Sequence, residues 1–468
     1  GTSTYSGTAS AGIIGATEGN GIGGVGVAWD VSLTGVNLLG QIWSLGTPAI
    51  MAAIEWGDNF DIVNNSWGFT ADFGSTKSLA DPASFISQIN DANELSVENG
   101  RGGLGTIIVQ QAGNDTLNAN GDGMNASRFS INVGATDNAG DASYYSNFGS
   151  SLLITAPAGG STTDLTGADG LDPGDYTSTL LGASAAASVT SGVIALMLEA
   201  NPGLGWRDVQ NILALSASHT GSAYDAASAG SEQGAWFETG SSNWNGGGNM
   251  FHLSYGFGMI DAFAAVRMAE AWGIIYSAAA TSVNEQHVTM SSGTINMAIA
   301  DASTSTATMI VTTDINIEQI MVTVNMQHTY SADIDMYLVA PDGTRFMLME
   351  DSGGGTLMDS GFTWTFGVTG ALDMSSVGDW KLEIVDDAAG DTGTLIDWDI
   401  DFYGSAASTV EVHHFTQDFF DLIAIDPTRS VISDTDGGSN WLNFSAFADD
   451  LFIDLTADTI GNTGGTFA

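Results

Sequence analysis

Along residues 1–280, short apolar, strand-like stretches alternate with stretches whose apolar positions recur every three to four residues. The stretches at 31–39, 61–65, 106–111, 130–134 and 152–157 read as buried strands. The stretches 48–56, 188–200, 206–216 and 261–271 have the helical period. Strands interleaved with helices predict βαβ units in a doubly wound parallel sheet, an α/β fold. Residues 272–280 read as a linker. From 281 the texture changes to short strands of period two, at 320–325, 334–339, 362–366, 380–385 and 398–403, separated by turns such as Pro341-Asp342-Gly343. That pattern predicts an all-β sandwich. A third segment begins after Gly404 with a Ser/Ala-rich joint. The expected units are therefore 1–280, 281–404 and 405–468.

Composition narrows the partners. Lys and Arg number 8 against 54 Asp and Glu, a formal net charge of −46. Such a surface repels nucleic-acid phosphates and anionic membranes and attracts cations, Ca²⁺ above all, because carboxylates and carbonyls are hard oxygen ligands. Cysteine is absent, so disulfides do not hold the fold. The sequence shows no uninterrupted apolar run of about 18 residues, and no membrane span is expected. Gly1 looks like an internal starting point, without a basic stretch or apolar leader.

The candidate chemistry gathers in the first unit. Residues 182–188 read GASAAAS and lead into a helix. A small-residue turn at a helix start exposes a hydroxyl and aims free N–H groups at it, as a nucleophilic serine requires. The stretch resembles the GTSxAxP signature of the subtilisin-like serine proteases, with Ser184 at the nucleophile position. Residues 111–115, QAGND, resemble the family's AAGN strand end, where Asn114 would donate its amide to an oxyanion. Residues 61–68, DIVNNSWG, resemble its substrate-edge strand, in which Ser66, Trp67 and Gly68 would pair with an extended peptide. GRGGLG at 100–105 and SYGFGMIDA at 254–262 point to the kexin branch.

The departures are as informative. The family reads HGTxxAG where this chain reads SGTASAG from Ser6, so a hydroxyl stands at the position of the general base. A hydroxyl does not take a proton near neutral pH. The signature's Thr and Pro are Ala183 and Ser188. The strand that carries the family's catalytic Asp is not in this sequence, which would leave a sheet edge for an N-terminal fragment or a neighbouring chain to fill. None of His219, His252, His287, His328, His413 and His414 lies in a matching context. Residues 18–28, EGNGIGGVGVA, resemble the family's Ca²⁺ loop; the resemblance implies a side-chain oxygen from Asn20 and carbonyls from Ile22 and Gly24.

Residues 328–344, Gly378-Asp379-Trp380 and 393–404 resemble the P domain that follows the catalytic domain in kexin-like convertases, implying a jelly-roll sandwich. Asp333, Asp335, Asp386 and Asp387 are further Ca²⁺ candidates there. Residues 434–455 resemble the segment preceding calcium-binding nonapeptide repeats in bacterial proteins of type I secretion. These resemblances imply a secreted, bacterial, extracellular or cell-surface protein of subtilase type. With Ser6, Ala183 and Ser188 together, the expected function is a degenerate protease serving as a Ca²⁺-stabilised structural, adhesive or peptide-binding scaffold. The alternative is an active Ca²⁺-dependent endopeptidase whose Asp and base come from outside this chain.

Overall fold

The computed structural model describes residues 4–38, 40, 44, 46–352, 354–432, 440–454, 459–462 and 465–467, with side chains between 5 and 452. The first unit opens with α1 (Thr4–Gly15) and α2 (Thr47–Glu55). Then follow β1 (Ile62–Asn65), α3 (Phe85–Asn99), β2 (Ile107–Gln111), the one-turn α4 (Gly123–Ala126), β3 (Ser130–Thr136) and β4 (Ile154–Pro157). A small hairpin, β5 (Thr162–Thr163) and β6 (Tyr176–Thr177), leads to α5 (Ala183–Ala200) and α6 (Trp206–Ser216). A second hairpin, β7 (Phe237–Glu238) and β8 (Met250–Phe251), precedes α7 (Ala262–Ile275). The sheet is parallel in the order β1-β2-β3-β4. β2 and β3 are buried along their whole length, including their polar residues Gln110, Gln111, Ser130, Asn132 and Thr136.

The sequence pattern and the structure part company at four places. Residues 31–38 form no strand. An apolar run becomes a strand only beside a partner, and the outer edge of β1 carries none among the described residues. Leu39, the last residue of that run, lies outside the described residues. α5 begins at Ala183, so Ser184 sits inside the first helical turn rather than in a turn before it. α7 runs on to Ile275, into the expected linker. α3 was not expected at all, because its inward face includes Ser87, Asn93 and Ser96 among the apolar residues. α5 is, among the described residues, the one helix long and apolar enough to cross a membrane, but it is mostly buried as the core helix of the first unit.

The second unit is a sandwich of antiparallel sheets. One contains β10 (Met297–Ile299), β12 (Ile315–His328), β15 (Phe362–Val368) and β17 (Gly393–Ala406), with β9 (Gln286–Ser291) on β17. The other has the order β11-β16-β13-β14, formed by Thr304–Val311, Gly378–Asp386, Ile334–Val339 and Arg345–Met349. Alternation along β16 and β17 puts Trp380, Leu382, Ile384, Trp398, Ile400 and Phe402 inside.

The two units are joined by buried polar contacts. Asn120 accepts the Trp364 indole N–H at its carbonyl (2.8 Å) and exchanges amide bonds with Gly367 (2.7 and 3.1 Å). Phe73 of the first unit is buried against Phe362, Trp364 and Phe366 of the second. The Arg207 guanidinium makes two 2.6 Å bonds to Glu318 and also donates to the carbonyls of Thr281 and Gly404. Burial opposes the Arg207 charge, but Glu318 and Glu285 outweigh it, so its pKa is held above the ordinary value.

The last segment returns to the first unit. β18 (Val412–His414) pairs in parallel with β19 (Trp441–Asn443), and α8 (Phe419–Ile425) lies between them in sequence. The remaining strands, β20 (Leu451–Asp454), β21 (Thr459–Asn462) and β22 (Gly465–Phe467), form an antiparallel sheet. Of the stretch 434–455 that the sequence singles out, residues 434–439 and 455 lie outside the described residues. His414 stacks on Trp272, accepts an Asn443 amide N–H at Nδ1 (3.0 Å) and faces the Tyr276 hydroxyl with Nε2 (3.1 Å). With Nδ1 accepting, the ring is neutral.

Burial, with a smaller contribution from His413, pushes the His414 pKa down to about 3. The unfolded chain takes up this proton near the ordinary histidine value, about 6.5. His414 therefore contributes fully above that pH, and its contribution is lost as pH falls from about 6.5 toward 3. A His414→Gln variant is expected to lack that acid-dependent loss. Hydrogen exchange of β18 between pH 7 and 5 checks it; equal pH dependence in both proteins would contradict the assignment.

Candidate active site

Three elements meet around Ser184. Gly182 caps α5 at φ +110°, a conformation side chains avoid, and a Cβ there would lie 2.9 Å from Asn114 Oδ1. Glycine thus lets the turn close against Asn114. The Ala183 N–H donates to Asn114 Oδ1 (2.8 Å), and the Asn114 amide nitrogen donates to Gln111 Oε1 at 3.4 Å. Ser184 follows in the first turn, where backbone N–H groups have no intrahelical acceptor. An oxyanion between this N–H and Asn114 Nδ2 would be met by preorganised donors.

Ser184 Oγ itself donates to the Ser66 carbonyl at 3.2 Å. Its neighbourhood is a hydroxyl ladder. Ser66 Oγ donates to the Ser184 carbonyl (3.0 Å) and accepts from Ser10 Oγ (3.2 Å) and Asn64 Nδ2 (2.9 Å). Ser188 Oγ donates to the same Ser184 carbonyl (2.9 Å). Ser6 and Ser10 are one turn apart on α1, and α1 is held by Thr162 and Thr163, whose hydroxyls donate to the carbonyls of Ala9 and Thr8. Gly12 makes that approach feasible, since a Cβ there would meet both threonine hydroxyls within 2.4 Å. The ladder contains hydroxyls, amides and carbonyls but no group that accepts a proton near neutral pH.

The histidines are engaged elsewhere. His219 bonds the Ser222 carbonyl, His252 accepts the Ser254 N–H, His287 faces Asp401, and His328 is buried against Asp386. His413 approaches Glu411, and His414 belongs to the C-terminal contact.

The stretch after β1 belongs to no helix or strand, and Trp67 and Gly68 make no backbone–backbone hydrogen bond among the described residues. Beneath it lies a residue the sequence reading passed over. Asp122 is fully buried, accepts the N–H groups of Phe69 (2.8 Å) and Met124 (3.0 Å), and is pushed up to about 6 by burial. Its N-cap position ahead of α4 was the available signal. Beside the nucleophile turn opens a cavity of about 740 Å³ lined by Asp137, Asp141, Tyr144, Tyr145, Ser178 and Leu181. Tyr145 ties it to the turn by accepting the Gly182 N–H (3.0 Å).

The metal candidates fare differently. Gly19, Gly21 and Gly23 adopt positive φ, and Asn20 Oδ1 accepts the Ile22 N–H at 3.1 Å within an exposed loop. Ca²⁺ takes roughly six to eight oxygens. One amide oxygen with the carbonyls of Ile22 and Gly24 would be fewer than such a site needs. Among the described residues, no three His, Asp or Glu side chains are grouped to hold a metal, and this includes Asp333, Asp335, Asp386 and Asp387.

Comparison with known proteins gives the lineage. Residues 6–258 match the Subtilase family and residues 317–402 the proprotein convertase P-domain. Neuroendocrine convertase 2 of Drosophila melanogaster is 29% identical over 418 residues, 87% of this chain and 61% of that protein. Protease KEX1 of Kluyveromyces lactis is 31% identical over 414 residues, 86% of this chain and 50% of that protein. The chain thus spans about half to three-fifths of the length of these relatives. The crystal structure of the serine protease of Aeromonas sobria superposes with a TM-score of 0.71 at 23% identity, covering 86% of this chain and 81% of that one, a likeness of fold. The chain belongs to the subtilase family, as a subtilisin/kexin-type domain followed by a convertase P domain.

Proposed function

We propose that this subtilase holds extended peptides without cutting them. The observation that carries the reading is the partner of Ser184: its Oγ donates to a carbonyl, and the surrounding ladder offers no base. A serine without a base stays a neutral hydroxyl and a weak nucleophile. The stretch Ser66–Gly68 and the Asn114 amide, with the 740 Å³ cavity on the other side of the Gly182 turn, would offer a peptide its contacts. The acidic surface favours a basic one, and a relative from Yarrowia lipolytica is named a dibasic-processing endoprotease, in keeping with that chemistry. Such a protein would act outside the cell as a structural, adhesive or peptide-capturing module. Ca²⁺ at Asn20, Ile22 and Gly24, completed by oxygens from elsewhere, would brace the loop after α1.

The second reading is an active endopeptidase. The preserved Gly182 turn favours it. It needs a strand along the open β1 edge, from an N-terminal fragment or a neighbouring chain, to bring an Asp and a base.

A fluorescent Arg/Lys-containing peptide is expected to bind with Ca²⁺ present and to be recovered intact by mass spectrometry. Chelation is expected to weaken binding and lower the melting temperature. Cleaved peptide would favour the second reading; neither binding nor cleavage would reject both.

A further inference from the structure

One edge of the sandwich carries none of the usual protection. β11, at the end of the sheet β11-β16-β13-β14, is eight residues long and reads TSTATMIV, without a charge, a proline or a glycine. Its pairing with β16 runs straight through, without a bulge. Just before it, the Ser303 carbonyl accepts the Asp386 N–H (2.9 Å), which fixes the alternation. Residues 305, 307, 309 and 311 turn their N–H and C=O groups to β16, and Thr304, Thr306, Thr308 and Ile310 turn theirs outward. Among the described residues, no other group bonds to the N–H or C=O of those four. Their side chains are exposed as well, Ile310 to 65%.

The other edges of the sandwich are broken, covered or short. β14 is five residues long, meets β13 with an irregular register and carries Arg345. β15 lies against the first unit, with Asn120 bonded to Gly367 and Ser78 Oγ donating to the Thr363 carbonyl. β9 and β10 share the outer side of β17 and have six and three residues. Charges, bulges, covers and short lengths keep natural sheet edges from pairing with other chains. β11 has none of them.

We infer that β11 pairs antiparallel with β11 of a second copy of this chain, joining two four-stranded sheets across a two-fold axis. The strand is self-complementary. About an axis through Ala307, Thr306 faces Thr308 of the second copy and Thr304 faces its Ile310. Every outward N–H and C=O group then has a partner, and β-branched side chains meet on the exposed face. Charge also points to this edge. On a chain of net charge −46 most faces of two copies repel each other, whereas β11 brings no charge of its own. The protected β14 at the far edge closes the assembly at two copies. An edge of this length buries less than the roughly 1,200 Å² of a standard interface, so the dimer is weak and depends on concentration. The pairing is independent of whether Ser184 reacts.

Sedimentation equilibrium of the whole chain tests it, at about 0.15 M NaCl, where charges are screened beyond about 8 Å. The mass is expected to rise toward twice that of the monomer over roughly 10–500 μM. Thr306→Lys with Thr308→Lys sets lysine against lysine across the axis and is expected to weaken pairing about tenfold, although it lowers the overall negative charge. Thr306→Lys with Thr308→Glu sets opposite charges across the same axis and is expected to pair at least as well as the native chain. Glu383 lies beside position 306 and Lys381 beside position 308 on β16, so the second variant is also favoured within its own sheet. A monomer at every concentration would overturn the proposal; if that monomer bound a synthetic Thr304–Val311 peptide, the edge would take a foreign strand instead. An undiminished dimer in the double-lysine variant, or equal loss in both variants, would overturn it as well. Where the double-lysine variant does not fold, competition decides. An excess of the Thr304–Val311 peptide is expected to dissociate the native dimer, and a dimer that the peptide leaves unchanged contradicts the pairing.

Discussion

Replacing Ser6 by histidine is expected to raise peptide hydrolysis by roughly 10²-fold over the native chain, from a floor about 10⁶-fold below an intact triad. Those magnitudes come from a subtilisin triad, where loss of the base costs about 10⁶-fold and loss of the Asp alone about 10⁴-fold. Triad members act as a unit, so their losses do not multiply, and a restored base without its Asp recovers only the difference. α1 is already held against the site through Ser10, Thr162 and Thr163, so the new imidazole enters on a fixed helix. Progress curves for the native chain and for Ser6→His, each with a Ser184→Ala control, measure the gain. A native chain already as fast as the variant would contradict the account.

The second large effect concerns the joint between the units. Glu318→Gln leaves the Arg207 guanidinium buried and without its bidentate partner, with Glu285 still 3.9 Å away. Breaking a buried pair in this way costs about 3–5 kcal/mol. Glu285 is shared with Arg128, which stacks on Tyr403 of the second unit, so the loss extends beyond one contact. Calorimetry of the variant is expected to show the two units unfolding at separate temperatures. A loss under about 1 kcal/mol with a single unchanged transition would show that Asn120, Trp364 and Phe73 hold the joint unaided.

What the sequence made legible follows from which residues carry a local signal. The alternation in β16 and β17 and the strand-like stretches of β2 and β3 are local, so these strands were readable. Residues 31–38 have the same local signal and no strand, because pairing depends on a neighbour that periodicity does not report. α3 hid for the opposite reason: Ser87, Asn93 and Ser96 are buried by tertiary contacts that its polar pattern does not announce. Around the site, the motifs named Ser184, Asn114 and Ser66, and the structure brings these three together. Asp122 announces itself only by its N-cap position; its bonds to the Phe69 and Met124 N–H groups become visible only when the partners of each buried atom are traced. Arg207 and Glu318 are more than a hundred positions apart, and nothing in either neighbourhood foretells their pairing.

The claim at the centre is that no base reaches Ser184. Incubating the native chain with a fluorophosphonate and measuring the intact mass tests it most directly, with Ser6→His as the positive arm. The account predicts no adduct on the native chain, and a Ser184 adduct on the variant. Stoichiometric labelling of Ser184 in the native chain would contradict it.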